Sequence, residues 1–178
     1  MRNKIKRNSI LAFVSLIVLC TACKDKETYS CNIRFADTEL DFNRVSYTFI
    51  GEYITNIYKH EYVFLGNDFS SVNGKLSGEG SLLTLTILTN SRGIPLGEFL
   101  FIPQEVAPSL FSGSVIMSYN TVTDSINGYE PLTGGKLTIN GDPSKLSFDI
   151  NLETNSGKLI TGSFWGPMIT ETMPKFNK

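Results

Sequence analysis

The feature that most constrains the fold is a strict alternation of apolar and polar residues in the C-terminal third. Apolar side chains occupy every second position from Leu146 to Leu152, and turn-forming clusters flank this run, NGDPS before it and TNSG after it. Successive side chains of a β-strand point to opposite faces, so this pattern is typical of a half-buried strand. The segment from Gly134 to Gly166 is therefore predicted to form three antiparallel strands joined as a meander.

The same alternation recurs upstream, at residues 45–49, 62–64, 83–87 and 115–119. The spacing between these segments is about 8–12 residues, as in all-β sandwiches and barrels. Helical spacing with capping residues is almost absent. We expect an all-β fold, a single antiparallel β-sandwich or barrel of about eight or nine strands. The alternation pattern does not distinguish a sandwich from a barrel, because the strands of both have inward-facing and outward-facing positions.

The N-terminus has the organisation of a secretory signal. Four basic residues precede an uninterrupted run of ten mostly apolar residues, Ile10 to Leu19. As a helix this run would be ~15 Å long, about half of a hydrocarbon core. It is too short to span a bilayer and has the length of a signal-peptide core.

The sequence Thr21-Ala22-Cys23 resembles the lipobox of bacterial lipoproteins, with Cys20 standing where that family usually has Leu, Val or Ile. The resemblance implies that residues 1–22 are a signal peptide and that Cys23 carries lipid. Lipidation of Cys20 is disfavoured, because bulky Leu19 would then precede the cut. A zinc or redox CxxC motif is also disfavoured, since it would need a second ligand pair or a helix start.

This assignment divides the chain into four parts. After the signal peptide come a lipidated tether (residues 23–32), the β domain (33–170) and a C-terminal tail (171–178). The tether begins with Lys24 to Glu27, KDKE, which resembles the surface-export signal of Bacteroidota lipoproteins. That resemblance implies an outer-membrane protein displayed on the cell surface, with the periplasm-facing leaflet as the alternative.

Residues 74–168 are similar in layout to uncharacterised β-rich lipoproteins of Bacteroidota. The similarity rests on IPLGEF at Ile94 to Phe99 and on the closing pattern G-x-x-x-x-G-S-F-W-G, Gly157 to Gly166. Some members of that group are lipocalin-like barrels, so the resemblance implies a lipocalin-like barrel as the barrel alternative. It implies no functional residues.

Charge restricts the partners of the mature chain. Removal of residues 1–22 takes four of the 16 Lys and Arg residues and leaves all 17 Asp and Glu, a formal charge of −5. Nucleic acids are not expected as partners, since they need clustered basic residues. The membrane is expected as a partner only through the lipid. Once Cys23 is acylated, Cys31 is the one thiol left, and its role stays open.

The residues favour no catalytic, metal or cofactor site. His60 is the only histidine, and it is expected at the surface or in a loop rather than in a metal site or a catalytic triad. No phosphate-binding loop or nucleophile elbow occurs. A glycosidase would need two carboxylates, and the candidates, predicted to be solvated in loops, are Glu98, Glu105, Asp124 and Glu130.

A long loop, residues 119–135, is the expected place for function, because long loops on rigid scaffolds often bind ligands. Tyr119 and Tyr129, with Trp165, are candidates for a flat aromatic surface that contacts sugar rings. Asp124-Ser125-Ile126 resembles the acceptor for O-glycosylation in exported Bacteroidota proteins, which makes Ser125 a candidate for modification.

Together these features predict an outer-membrane lipoprotein that is a non-catalytic binding or accessory module of the cell envelope. Its ligand would be a glycan, a small apolar molecule or an envelope protein. Two alternatives remain open, a small surface hydrolase acting on glycan or envelope polymer and a purely structural subunit.

Overall fold

The computed structural model describes residues 29–72, 75–102 and 106–169. The predicted signal peptide, the choice between Cys20 and Cys23, most of the tether and the C-terminal tail lie outside the described residues. Within the described ranges the fold is all-β, which confirms the predicted class. That part of the chain contains no helix that is long and apolar enough to cross a membrane.

Twelve strands account for most of the described chain, and the predicted C-terminal meander is formed by the last three. In order they are β1 Ser30–Cys31, β2 Arg34–Phe35, β3 Thr38–Glu39, β4 Phe42–Ile54, β5 Ile57–Gly66, β6 Phe69–Val72, β7 Lys75–Thr89, β8 Gly97–Phe101, β9 Leu110–Asn120, β10 Ser125–Asp142, β11 Lys145–Thr154 and β12 Leu159–Ile169.

Eight of these strands close into a hydrogen-bonded ring, in the order β4, β5, β7, β9, β8, β10, β11, β12. Most neighbours are antiparallel, but two contacts are parallel. Strand β12 meets β4 where Met168 pairs with Val45, and β8 meets β9 where Leu100 pairs with Leu110. A ring of this kind is the hydrogen-bonding arrangement of a barrel.

Aromatic side chains fill the interior of the ring. Phe148 of β11 lies with its ring centroid 4.8 Å from that of Phe64 and 5.3 Å from that of Tyr62, both on β5. Phe164 of β12 packs against Phe64 at 5.5 Å. An eight-stranded barrel is just wide enough for side chains to fill. Burial of each such ring stabilises the fold by roughly 1.5–3 kcal/mol, so this cluster holds opposite walls of the ring together.

A second hydrophobic cluster lies on the outer face of β5, β7 and β9 and is called the outer cluster here. Its floor consists of Leu65, Leu82 and Ile116, one from each strand. The β6–β7 hairpin folds over it and buries Phe69 and Leu76 against the floor. Apolar residues on both faces of these strands are therefore covered at this end.

The predicted long loop over residues 119–135 is wrong. Strand β9 runs to Asn120 and β10 begins at Ser125, so only residues 121–124 connect them. The glycines of this segment and Pro131 lie within an 18-residue strand. Glycine in a strand often marks a bend or bulge, and β10 has a bulge between Leu132 and Gly134. There it changes partner from β9 to β8 and β11.

The first described strand begins within the segment that the sequence assigns to the tether. Ser30 and Cys31 pair with Trp165 and Phe164 of β12. The Cys31 side chain packs against the interior cluster, and its Sγ donates to the carbonyl of Leu40 at 3.3 Å. Burial raises the pKa of this thiol, which favours the neutral form.

Candidate functional site

A groove of about 230 Å³, lined by both apolar and polar side chains, lies on the outer face of the ring, at the opposite end of β5, β7 and β9 from the outer cluster. Its floor is a row of cross-strand neighbours. Lys59 pairs with Leu88, and Leu88 pairs with Leu110. These side chains face outward because the alternate residues of the same strands fill the interior.

Large apolar side chains from outside these three strands line the rim of the groove. Tyr53, near the end of β4, is 54% exposed, and Ile102 and Val106 are also exposed. Phe101, the last residue of β8, lines the groove on the side of that strand. Single exposed apolar residues are ordinary, but a contiguous group around a concavity indicates a contact surface.

The groove has one charged lining side chain among the described residues, Lys59. No described carboxylate lies within ion-pair distance of its ammonium group. Thr86 and Ser112, a cross-strand pair in the next row, add two hydroxyl groups to the lining. The arrangement can bind an apolar group and a polar or anionic group side by side.

The prediction that His60 lies at the surface is wrong, because its side chain is 0% exposed inside the ring. Its Nδ1 lies 3.0 Å from Tyr47 Oη, and its Nε2 lies 2.9 Å from Thr89 Oγ1 and 3.0 Å from the carbonyl of Ser91. A carbonyl only accepts, so Nε2 carries the proton and Nδ1 accepts from Tyr47. Burial lowers the pKa of His60, which favours this neutral form.

This histidine and a neighbouring tyrosine hold the loop between β7 and β8 against the interior. Tyr62 Oη donates to the carbonyl of Pro95 at 3.2 Å, in addition to the contact between His60 and Ser91. Ile94 of the same loop packs on the interior cluster. The sequence contained a signal for the buried position of His60. It lies two and four residues before the inward-facing Tyr62 and Phe64, and this even spacing places it on the same face of the strand.

The three aromatic residues that were candidates for one flat surface do not form an exposed surface together. Tyr119 is 2% exposed, packs in the outer cluster and donates to Asp124 at 2.9 Å. Tyr129 is exposed on β10 beside Ile116 of β9. Trp165 is exposed on β12 between Ser30 and Ser147, where the ammonium of Lys145 lies 4.2 Å from its ring centroid.

Ser125 is the first residue of β10 and is exposed. Its hydroxyl oxygen lies 2.8 Å from that of Thr123 in the connecting turn. Asp124, between them, has a positive φ of 51°. O-glycosylation at Ser125 stays a prediction.

The described candidate carboxylates for a glycosidase site each have a different partner residue, at different places on the molecule. Glu98 pairs with Lys136 at 2.6 Å, Glu130 pairs with Lys158 at 3.6 Å, and Asp124 accepts from Tyr119. Glu105 lies outside the described residues. Among the residues that the structure describes, no group of three His, Cys, Asp or Glu side chains is placed to hold a metal ion.

The chain matches no protein-family model, no curated protein and no solved structure.

Proposed function

We propose that this chain is an outer-membrane lipoprotein that acts as a non-catalytic binding module of the cell envelope, and that it contacts its ligand through the groove on β5, β7 and β9. The observation that carries the proposal is the groove itself, a concavity of mixed polar and apolar lining that is rimmed by exposed Tyr53, Ile102 and Val106. A concavity that combines apolar side chains with a few polar groups is the usual form of a ligand contact site.

The filled interior supports an external site. Interior rings such as Phe64 and Phe148 are in van der Waals contact and fully buried, so a ligand would have to displace core side chains to enter between them. The groove is open, and at about 230 Å³ it is smaller than the ~300–1,000 Å³ of typical small-molecule cavities. It therefore suits part of a ligand, such as one apolar chain or side chain.

Membrane attachment through Cys23 is the second element of the proposal. Six residues lie between Cys23 and Ser30, the first residue of β1, so seven Cα–Cα steps join the two. A chain of that length reaches at most ~25 Å when fully extended. A lipid on Cys23 would thus keep the folded domain close to the membrane surface, among components of the envelope. The same anchor is expected for surface display and for the periplasm-facing alternative.

Site-specific photo-crosslinking tests the proposal in the cells that produce the protein. A photoreactive amino acid replaces Tyr53 at the groove in one full-length variant and Val122 in another. Val122 is the matched control, because it is 86% exposed but lies in the turn at the far end of β9. We expect an adduct of one defined mass from position 53 and none from position 122.

Equal adduct yields at the two positions would indicate random collisions and would contradict the proposal. No adduct at position 53 would contradict it as well. A catalytic function instead predicts turnover of an envelope polymer by the purified chain, and such activity would favour the hydrolase alternative.

A further inference from the structure

We propose that the ligand of the groove is a single-chain anionic amphiphile, a linear acyl chain with a free carboxylate. The carboxylate would pair with Lys59, and the chain would cross Leu88 and Leu110 towards Phe101 and Ile102. This inference rests on the proposed function, since it names the ligand class of the same groove.

The shape of the floor suits one linear chain. Lys59, Leu88 and Leu110 lie side by side on three adjacent strands, so the row is about 10 Å wide at the usual strand spacing. Beyond Leu110 the lining continues with Phe101, Ile102 and Val106. An extended methylene chain lying across the strands would contact apolar side chains along its length and would be stabilised by each methylene that leaves water.

The positive charge of Lys59, at one end of the row, favours a ligand with an anionic head group. Lys59 begins the row, and no described carboxylate pairs with it. Thr86 lies diagonally beside it and adds a hydroxyl donor. Its ammonium is carried on a long apolar stem that can lie along the floor while the charge stays at the rim.

Lys59 is the only described charged side chain nearby that is placed to pair with the carboxylate of the ligand. Glu61 shares its outward face two residues further along β5, in the row of Thr86, and does not line the groove. Glu52 accepts from the backbone N–H of Asn56 in the β4–β5 turn. Arg92 lies over the ring of Tyr58, which points to the opposite face from Lys59.

Comparison with the outer cluster indicates what the groove lacks. At one end of the outer face, Leu65, Leu82 and Ile116 are covered by Phe69 and Leu76 of the β6–β7 hairpin. At the other end Leu110 is buried, but Leu88 is only partly buried and no described strand lies over it. A ligand chain would complete over Leu88 the cover that the hairpin supplies at the first end.

Photoaffinity labelling of the full-length chain in a phosphatidylcholine nanodisc tests this inference. The probe is dodecanoate with a diazirine near its methyl end, and the matched control probe is dodecyltrimethylammonium with the same diazirine. Both probes enter the lipid, and only the charge of the head group differs. Mass spectrometry measures the labelled fraction and locates the modified residues.

We expect the anionic probe to label the groove on β7, β8 and β9 about fivefold more than the cationic probe, the ratio that ~1 kcal/mol of ion-pair energy gives. Lys59→Glu should reverse the preference, and Lys59→Met should abolish it. Glu61→Gln, the matched control variant, should keep it. Circular dichroism checks that each variant is folded.

Equal labelling by the two probes, labelling spread over the whole surface, or a preference that survives Lys59→Glu would overturn the inference. The labelling in nanodiscs and the crosslinking in cells test the ligand class and the proposed function separately. A defined adduct at position 53 in cells, without any probe preference in the nanodisc, overturns the ligand class only. Absence of both overturns both.

Discussion

At the scale of single residues, burial decides the roles of the side chains that the sequence singles out. His60 was expected at the surface or in a loop and Tyr119 in an aromatic contact surface, yet both are buried with hydrogen-bond partners. A buried polar group without a partner costs about 1–3 kcal/mol, so such partners are expected wherever these side chains enter a core. Burial, reinforced by Asp124, raises the pKa of Tyr119 to about 12.

The buried His60 predicts that stability falls on mild acidification. Its pKa is lowered in the folded state, whereas an unfolded chain has a histidine pKa of ~6.5, so the unfolded state binds the proton more readily. The stabilisation is complete above pH ~6.5 and is lost as the pH falls from there towards the folded pKa. Urea unfolding at pH 7.5 and 5.5 should show a lower free energy of unfolding at pH 5.5.

His60→Gln is the matched variant for that measurement. It should lower the free energy of unfolding at pH 7.5 by roughly 1–3 kcal/mol, because Tyr47 and Thr89 lose well-placed partners. It should also reduce the difference between the two pH values. An undiminished pH effect in this variant would assign the effect to other groups.

The lipobox gives a second prediction at this scale. Cys23→Ala should abolish incorporation of a radiolabelled fatty acid into the protein, because this thiol is the expected site of acylation. Cys20→Ala should leave incorporation intact, since Cys20 is expected to leave with the signal peptide. The reverse pattern would move the cleavage site to Cys20.

At the scale of elements, the long strand β10 shows how glycine permits a close pairing. Gly135 pairs with Leu152 of β11 and has a φ of +113°. A Cβ at this position would lie 2.3 Å from the carbonyl oxygen of Asn151. The strand can pass this point only without a side chain, and Gly135 is the last residue of the segment mistakenly predicted to be a loop.

We expect Gly135→Ala to destabilise the protein more than Gly157→Ala. Gly157 also has a positive φ, +76°, but a Cβ there would meet nothing within 4 Å. Both variants incur the backbone strain of a positive φ, ~1–2 kcal/mol, and Gly135→Ala adds an overpacking cost of about 1–3 kcal/mol. Chemical denaturation measures the difference, and equal losses would contradict the contact with β11.

At the scale of the whole molecule, the ring depends on contacts between strands that are far apart in sequence. Strand β12, the last described strand, pairs with β4 through Met168 and Val45 and thereby closes the ring. Phe148 then joins β11 to β5 across the interior through Phe64 and Tyr62. Contacts of such long range are expected to make unfolding cooperative, because losing one wall exposes the other.

Phe148→Ala should therefore lower the free energy of unfolding by about 3–5 kcal/mol in a single transition. Leu159→Ala is the control, because Leu159 is also an apolar strand residue but is 50% exposed. The control should change stability by about 0.5 kcal/mol or less. Thermal unfolding followed by circular dichroism compares the two, and similar losses would contradict the central role of Phe148.

The alternation of apolar and polar residues was enough to predict several of the strands and which residues of each share a face. The alternation from Leu146 to Leu152 appears in the structure as a strand with these apolar residues buried, since the pleat of the backbone is a local property. The alternation pattern did not predict the glycine-rich strand β10. Whether a glycine lies in a loop or in a bulge depends on the neighbouring strand, which the local sequence does not specify.

Only the tertiary structure decided which face is the interior and where the surface stays open. Lys59 and His60 are adjacent in sequence, yet one lines the groove and the other is buried in the ring. The groove combines Tyr53, Leu88, Ile102 and Leu110, which four different parts of the chain supply. Their proximity follows from long-range strand pairing, which is governed by packing and loop closure rather than by any local period of the sequence.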